Sequence, residues 1–323
     1  MMEKQHEGDA VQGLGKRLLR WLLPVAVSVA AFALLFRTID FGAVLRHVDA
    51  GVAAKLVPAV LGYGALSLWI EALSLSYLAA PSSSAPKEKW TYARLKAASY
   101  PLGVLNYALG AGGLTYLLRR RGGLRISEAA GIVMLIALFD LGILLLLSAL
   151  GVMLLSTQKV AVQLSVLAVG MIGIVAGFAF LRARISMGPL DRVRDLELFR
   201  AARETPNGRL AVLALLRLCF VVSFILLCGA ALVAFDIWVP MGDLAVGVAA
   251  VSLVASLPIA VAGLGTGQVA FVYMFRHWGS PEALLASNLV LTAALIVMRT
   301  SIGLVFAREY TREALVAARE TRS

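Results

Sequence analysis

Hydrophobic positions along this chain gather in long blocks rather than in alternating or single-face stripes. Six blocks, at about residues 19–36, 56–79, 127–155, 160–181, 210–235 and 284–307, each supply the roughly 20 mostly apolar residues that a helix needs to cross about 30 Å of hydrocarbon. Two further stretches, 91–118 and 243–278, are apolar but interrupted by Pro and Gly, and predict helices that break within the membrane. A Ser/Pro-rich linker runs from Pro81 to Pro86. A charged segment, 182–209, separates the fourth and fifth clean blocks. In it Leu190, Val193, Leu196 and Phe199 recur at near-helical spacing among arginines, which predicts a short interfacial helix ended by Pro206-Asn207-Gly208. The first block follows Lys16, Arg17 and Arg20. Its apolar core exceeds the about 7–15 residues of a signal peptide and five more spans follow, so it predicts an uncleaved first helix.

Composition agrees with that reading. Of 323 residues, 60% are apolar and 15% charged, with a mean hydropathy of +0.85, whereas soluble chains average about 45–50% and about 25%. A soluble enzyme, a disordered chain and a fibrous repeat are excluded. The net charge of +11 points to nucleic acid only until its distribution is read. With a cytoplasmic N-terminus, six crossing blocks and both broken stretches re-entrant, 23 of the 30 basic residues fall on the cytoplasmic side, five fall outside, and Arg217 and Arg299 lie within spans. That asymmetry orients the chain, with both termini cytoplasmic in a cell (inner) membrane, and speaks against a nucleic-acid partner.

The two broken stretches resemble each other. Ser99-Tyr100-Pro101, Gly110-Ala111-Gly112, Tyr116, Arg119 to Arg121, Gly122 and Glu128-Ala129 match in order Ser256-Leu257-Pro258, Gly265-Thr266-Gly267, Tyr273, Arg276, Gly279 and Glu282-Ala283. The expected architecture is therefore a single all-α membrane domain over 1–323. It has six spanning helices and two re-entrant broken helices in an inverted repeat, with halves at 11–156 and 157–310 and a cytoplasmic interfacial segment at 182–209. Such repeats place transport sites near the bilayer midplane. Backbone freed at Pro101, Asn106, Gly110, Gly112, Pro258, Gly263, Gly265, Gly267 and Gln268 should line a polar cavity or be buried in protein.

Charge inside a span is costly, about 2.5–3.5 kcal/mol at the centre on insertion scales. Asp140 lies mid-span. Arg299 shares a helix face with Asn288, Thr292, Leu295 and Gly303, and Glu71 shares one with Gly64, Ser67 and Ser74. Two readings stand. In one, Arg299, Asn288, Thr292, Asp140 and Glu71 line a substrate path; in the other, Asp140 or Glu71 forms a structural ion pair with Arg299. Arg217, seven residues from its span's cytoplasmic end, is expected to snorkel to the interface. Arg119, Arg120 and Arg121 act as a topogenic signal or collect anionic headgroups.

The usual chemistry-bearing motifs are missing. There is no nucleotide-binding P-loop, no H-E-x-x-H and no G-x-S-x-G elbow, and the three histidines and two cysteines are scattered. No catalytic residue, metal site or cofactor is therefore expected. An enzyme would require chemistry at the membrane face.

The chain resembles the transmembrane region of lysylphosphatidylglycerol synthases and the stand-alone flippase-like proteins related to it. The resemblance rests on Asn106, Ala111-Gly112-Gly113-Leu114, the run Tyr116 to Gly122, Asp140, Ser256-Leu257-Pro258 through Gly263-Leu264-Gly265, and Arg299. It covers nearly the whole chain. It implies a polytopic bacterial or archaeal membrane protein that moves or modifies lipids, here expected to lack the soluble aminoacyl-transferring domain of fused members. Five charges common in the family are replaced, by Gly113, by Ile136 and Ala137, and by the pair Gly267-Gln268 where Arg-Glu is usual. Either a less polar headgroup or a degenerate structural member accounts for that loss.

The leading expectation is a lipid flippase or transporter whose Arg299 binds an anionic group such as phosphate, with Asp140 or Glu71 coupling a proton. Its ligand would be a membrane lipid with a polar or anionic headgroup, and a second copy of the chain or a lipid-synthesis enzyme would be its protein partner. The alternatives are a membrane subunit of a lipid-modifying transferase and a non-transporting scaffold in lipid synthesis.

Overall fold

In the computed structural model, residues 49–82, 85–105, 107–155, 161–182, 195–256 and 265–320 are described. The first predicted span, Asn106, Pro258, Gly263, and Leu190 and Val193 of the charged segment lie outside these residues.

Among the described residues ten α-helices follow one another: α1 (Ala50–Ala79), α2 (Lys89–Leu105), α3 (Tyr107–Arg120), α4 (Ile126–Leu155), α5 (Ala161–Arg182), α6 (Arg200–Glu204), α7 (Asn207–Ala234), α8 (Met241–Ser256), α9 (Thr266–Phe275) and α10 (Pro281–Glu320). Four of them contain stretches long and apolar enough to cross a membrane: Ala50–Ala79, Ile126–Gly151, Asn207–Ala234 and Pro281–Phe306. In α5 and α8 the shorter apolar stretches Ala168–Arg182 and Met241–Ser256 stand beside them.

Polar residues at the ends set where the helices begin. Asp49 accepts the Val52 N–H at 2.8 Å, so α1 starts ahead of the apolar block at 56; such a cap stabilises a helix by about 1 kcal/mol. Ser280 accepts the Ala283 N–H at 3.2 Å at the head of α10, and Glu128 reaches back to the Arg125 N–H at 3.1 Å at the head of α4. Of the charged segment, Arg182 and residues 195–209 are described. A 3-10 turn at Glu197–Phe199 leads into the five-residue α6, and Pro206 caps α7, so Asn207 and Gly208 open a spanning helix instead of ending an interfacial one.

The described parts of both Pro/Gly-rich stretches pack as antiparallel helical hairpins, α2 with α3 and α8 with α9. In α2–α3, Gly103 and Gly110 meet so closely that a Cβ on Gly110 would lie 2.6 Å from the Gly103 Cα. In α8–α9, Gly247 receives the Phe275 ring and Gly267 faces Ala255. Gly265 opens α9 at φ 92°, a conformation that favours glycine. The Gln268 side chain accepts the Gly265 N–H at 2.6 Å, so this buried Gln serves as a helix cap.

Packing joins the early part of the described chain to the late part. Helices α1 and α7 lie antiparallel along their lengths, with Lys55–Asp236, Tyr63–Phe224, Glu71–Arg217 and Tyr77–Arg209 as successive rungs. The first limb of each hairpin packs on the long helix that follows the other hairpin: α2 on α10 and α8 on α4. A glycine admits each crossing, Gly303 against the Pro101 ring and Gly151 against Val246. Two apolar cores flank this arrangement. One is built on α1, α7, α8, α9 and α10, the other on α1 to α4 with Leu181 of α5, Ala202 of α6 and Leu213 of α7.

Candidate functional site: a charged cavity among apolar helices

Between α1, α2, α3, α4, α7 and α10 lies a cavity of about 210 Å³. That is well above the roughly 10–15 Å³ that one water occupies, so a small polar group can enter with its hydration. Its polar wall comes from Glu71 and Ser67 of α1, Lys96 and Tyr100 of α2, Asp140 of α4 and Arg299 of α10. Leu114, Val133 and Ile136 supply much of the apolar wall. Gly103, Tyr107 and Gly110 of the α2–α3 hairpin close one side, with Tyr107 itself 73% exposed.

The charges form a chain across four helices. Arg217 donates through Nε to Asp140 Oδ1 at 2.6 Å and through Nη2 to Oδ2 at 2.8 Å, a bidentate pair. Its Nη2 also lies 3.8 Å from Glu71, and Lys96 Nζ lies 3.0 Å from the other Glu71 oxygen. The guanidinium stacks over Phe220 at 4.1 Å. Arg217 is 0% exposed, and its Nη1 is buried with no hydrogen-bond partner.

Arg299 stands apart from this chain of pairs. It lies over the Tyr100 ring at 5.8 Å, with Tyr63 near enough to act on it electrostatically. Among the described residues no carboxylate is within salt-bridge range of it.

Three of the five substrate-path residues read from the sequence, Glu71, Asp140 and Arg299, therefore line one cavity. Asn288 and Thr292 are half-buried on α10 and take no part in its wall. The expected pairing of Asp140 or Glu71 with Arg299 gives way to pairing with Arg217 and Lys96. Arg217 does not snorkel: two carboxylates on neighbouring helices hold it inside, where it avoids the cost of an unpaired buried charge. Lys96, one of the 23 basic residues that the sequence places on the cytoplasmic side, reaches Glu71 in the cavity wall.

Of the glycines singled out, Gly110 lines the cavity, whereas Gly112 has no neighbour where a Cβ would stand. Arg119 and Arg120 are exposed at the end of α3, with Arg120 bonded to the Tyr116 hydroxyl at 3.0 Å; neither they nor Arg121 lines the cavity. Among the described residues, α8 and α9 contribute nothing to it.

A bundle of apolar helices enclosing a charge-lined cavity defines an integral membrane protein with an internal polar site. The profile of one family, described as the lysylphosphatidylglycerol synthase TM region, matches residues 21–303, and the chain belongs to that family. No curated protein and no solved structure is detectably similar to it.

Proposed function

We propose that the protein moves a polar-headgroup lipid between leaflets, the headgroup passing through the cavity while its acyl chains remain in the bilayer. The observation that carries this reading is the cavity itself. Two carboxylates and two cations from α1, α2, α4 and α10, with Arg217 of α7 bonded to both carboxylates, are concentrated in a bundle that is otherwise apolar. Ionisable groups at such depth mark polar pathways more often than packing. Membership of a family named for a lipid synthase supports a lipid ligand.

The architecture we propose is an inverted repeat with two re-entrant hairpins in a cell membrane, both termini cytoplasmic. The reciprocal packing of α2 on α10 and of α8 on α4 supports it, because a two-fold related pair of halves requires such an exchange. We propose no bond-making chemistry for the chain, whose cavity carboxylates are both engaged with cations of the protein.

The test is translocation of a fluorescent phospholipid in proteoliposomes carrying the wild type or Arg299→Ala. The wild type should move lipid above empty vesicles, and Arg299→Ala should slow it by about tenfold or more, the loss expected for one charge-assisted contact. Equal rates in the two proteins, or none above empty vesicles, would sink the proposal.

A further inference from the structure

The charge balance of the cavity determines which headgroup it admits. Both oxygens of Asp140 are occupied by Arg217, and Glu71 lies between Lys96 and Arg217. Each carboxylate is thus paired with the protein's own cations. Among the described residues three cations stand against two carboxylates, and the positive charge left over is that of Arg299, which lies against Tyr63 and Tyr100 and feels Glu71 only beyond salt-bridge distance. A second unmet demand has the same sign: Arg217 keeps one buried N–H without an acceptor. Uncompensated positive charge in a poorly solvated site attracts an anion and raises the energy of any entering cation.

From this we infer that the site selects lipids whose headgroup carries net negative charge, in the form of a singly charged phosphodiester held at Arg299, and excludes headgroups with net positive charge, including aminoacylated ones. The inference rests on the lipid-transport reading and narrows it, in a direction the family's name does not supply. An ammonium group entering the cavity finds no free carboxylate, because using Glu71 or Asp140 would require breaking a buried pair and stranding Lys96 or Arg217. A phosphodiester instead completes the charge balance and offers acceptor oxygens to Arg299. The exposed hairpin residues Leu102, Tyr107 and Leu109 form an apolar flank beside the cavity, against which acyl chains can lie.

The experiment uses the full-length protein in detergent and in proteoliposomes. Binding is read by thermal shift, with phosphatidylglycerol, phosphatidylcholine, lysyl-phosphatidylglycerol and inorganic phosphate as separate probes at constant ionic strength. Translocation of the three lipids is read in parallel. Phosphatidylglycerol should bind at least about tenfold more tightly than lysyl-phosphatidylglycerol, the scale set by gaining or losing one charge-assisted contact. Arg299→Gln should erase that ratio, and Arg299→Lys, which keeps the charge, should retain most of it. A variant that fails to fold is recognised by its melting curve without lipid, and Arg299→Lys then decides the outcome.

Equal or tighter binding of the cationic lipid overturns the inference, as does protection by inorganic phosphate as large as that by phosphatidylglycerol, which would make this a soluble-anion site. Selective binding without translocation leaves the charge selection standing and removes the transport reading. Translocation of the cationic lipid at the phosphatidylglycerol rate does the reverse.

Discussion

Asp140 and Arg217 are bonded through two contacts, at 2.6 and 2.8 Å, deep in a bundle whose other side chains are mostly apolar. Breaking a buried pair from one side costs about 3–5 kcal/mol, because the remaining charge is stranded, whereas exposed pairs contribute about 0–1 kcal/mol. Asp140→Asn should therefore lower the melting temperature in detergent sharply. Lys55→Ala, which removes a 3.6 Å pair to the 90%-exposed Asp236, should leave it nearly unchanged. Replacing both partners, as in Asp140→Leu with Arg217→Met, should recover much of the loss. A wild-type melting temperature for Asp140→Asn would show that the pair does not hold the helices together. The cavity was only half legible in the sequence for a related reason. Glu71, Asp140 and Arg299 stand out because a lone charge in an apolar block needs an explanation. Lys96 falls at the start of a broken apolar stretch and groups with Lys87, Lys89 and Arg94 on the cytoplasmic side, and Arg217 lies close enough to a span end to reach water. Neither position reveals its partner until α1, α4 and α7 are packed.

At the scale of elements, the sequence marked both stretches as interrupted but not where: Pro101 lies inside α2 and Gly110 and Gly112 lie inside α3, so none of the three is the break between these helices. What was also not readable is which glycine matters. A Cβ at Gly110 would press on the backbone of Gly103 at 2.6 Å, while one at Gly112 would meet nothing within 4 Å. Gly110→Ala should force α2 and α3 apart and destabilise by about 1–3 kcal/mol, the usual cost of overpacking. Gly112→Ala should be neutral or stabilising by up to about 1 kcal/mol through helix propensity. Thermal melts of the two variants check this, and the idea of a close hairpin crossing fails if Gly110→Ala melts no lower than Gly112→Ala. Gln268 is a parallel lesson. The sequence marked it as a broken-helix position that would line a polar cavity or be buried, and it is buried with its side chain capping α9 at Gly265. The start of α1 at Ala50 shows the same limit, since the Asp49 cap lies outside the apolar block and periodicity alone does not register it.

For the whole molecule, helix length separates crossing from returning. At about 1.5 Å per residue, the 17-residue α2 and 14-residue α3 span roughly 25 and 21 Å, and the 10-residue α9 roughly 15 Å, all short of the about 30 Å hydrocarbon core. Limbs this short, packed antiparallel on their neighbours, are what the proposed return of the chain to its side of entry calls for. The α1–α7 rungs fix which residues share an end: Lys55 with Asp236 at one, Tyr77 with Arg209 at the other. The second end also carries the ion-pair cluster of Arg125, Glu128, Glu197, Arg200 and Glu204. Basic residues concentrate there, so that end should face the cytoplasm. In a chain carrying Cys219→Ser and Cys228→Ala, a membrane-impermeant thiol reagent added to intact cells should label Asp236→Cys and Arg276→Cys. It should reach Arg119→Cys and Glu204→Cys only after permeabilisation. Because residues 119 and 204 flank different segments, the four sites together discriminate among topologies. If the α2–α3 stretch crossed the membrane once, residue 119 would label from outside, and the inverted arrangement of two returning hairpins would be lost with it.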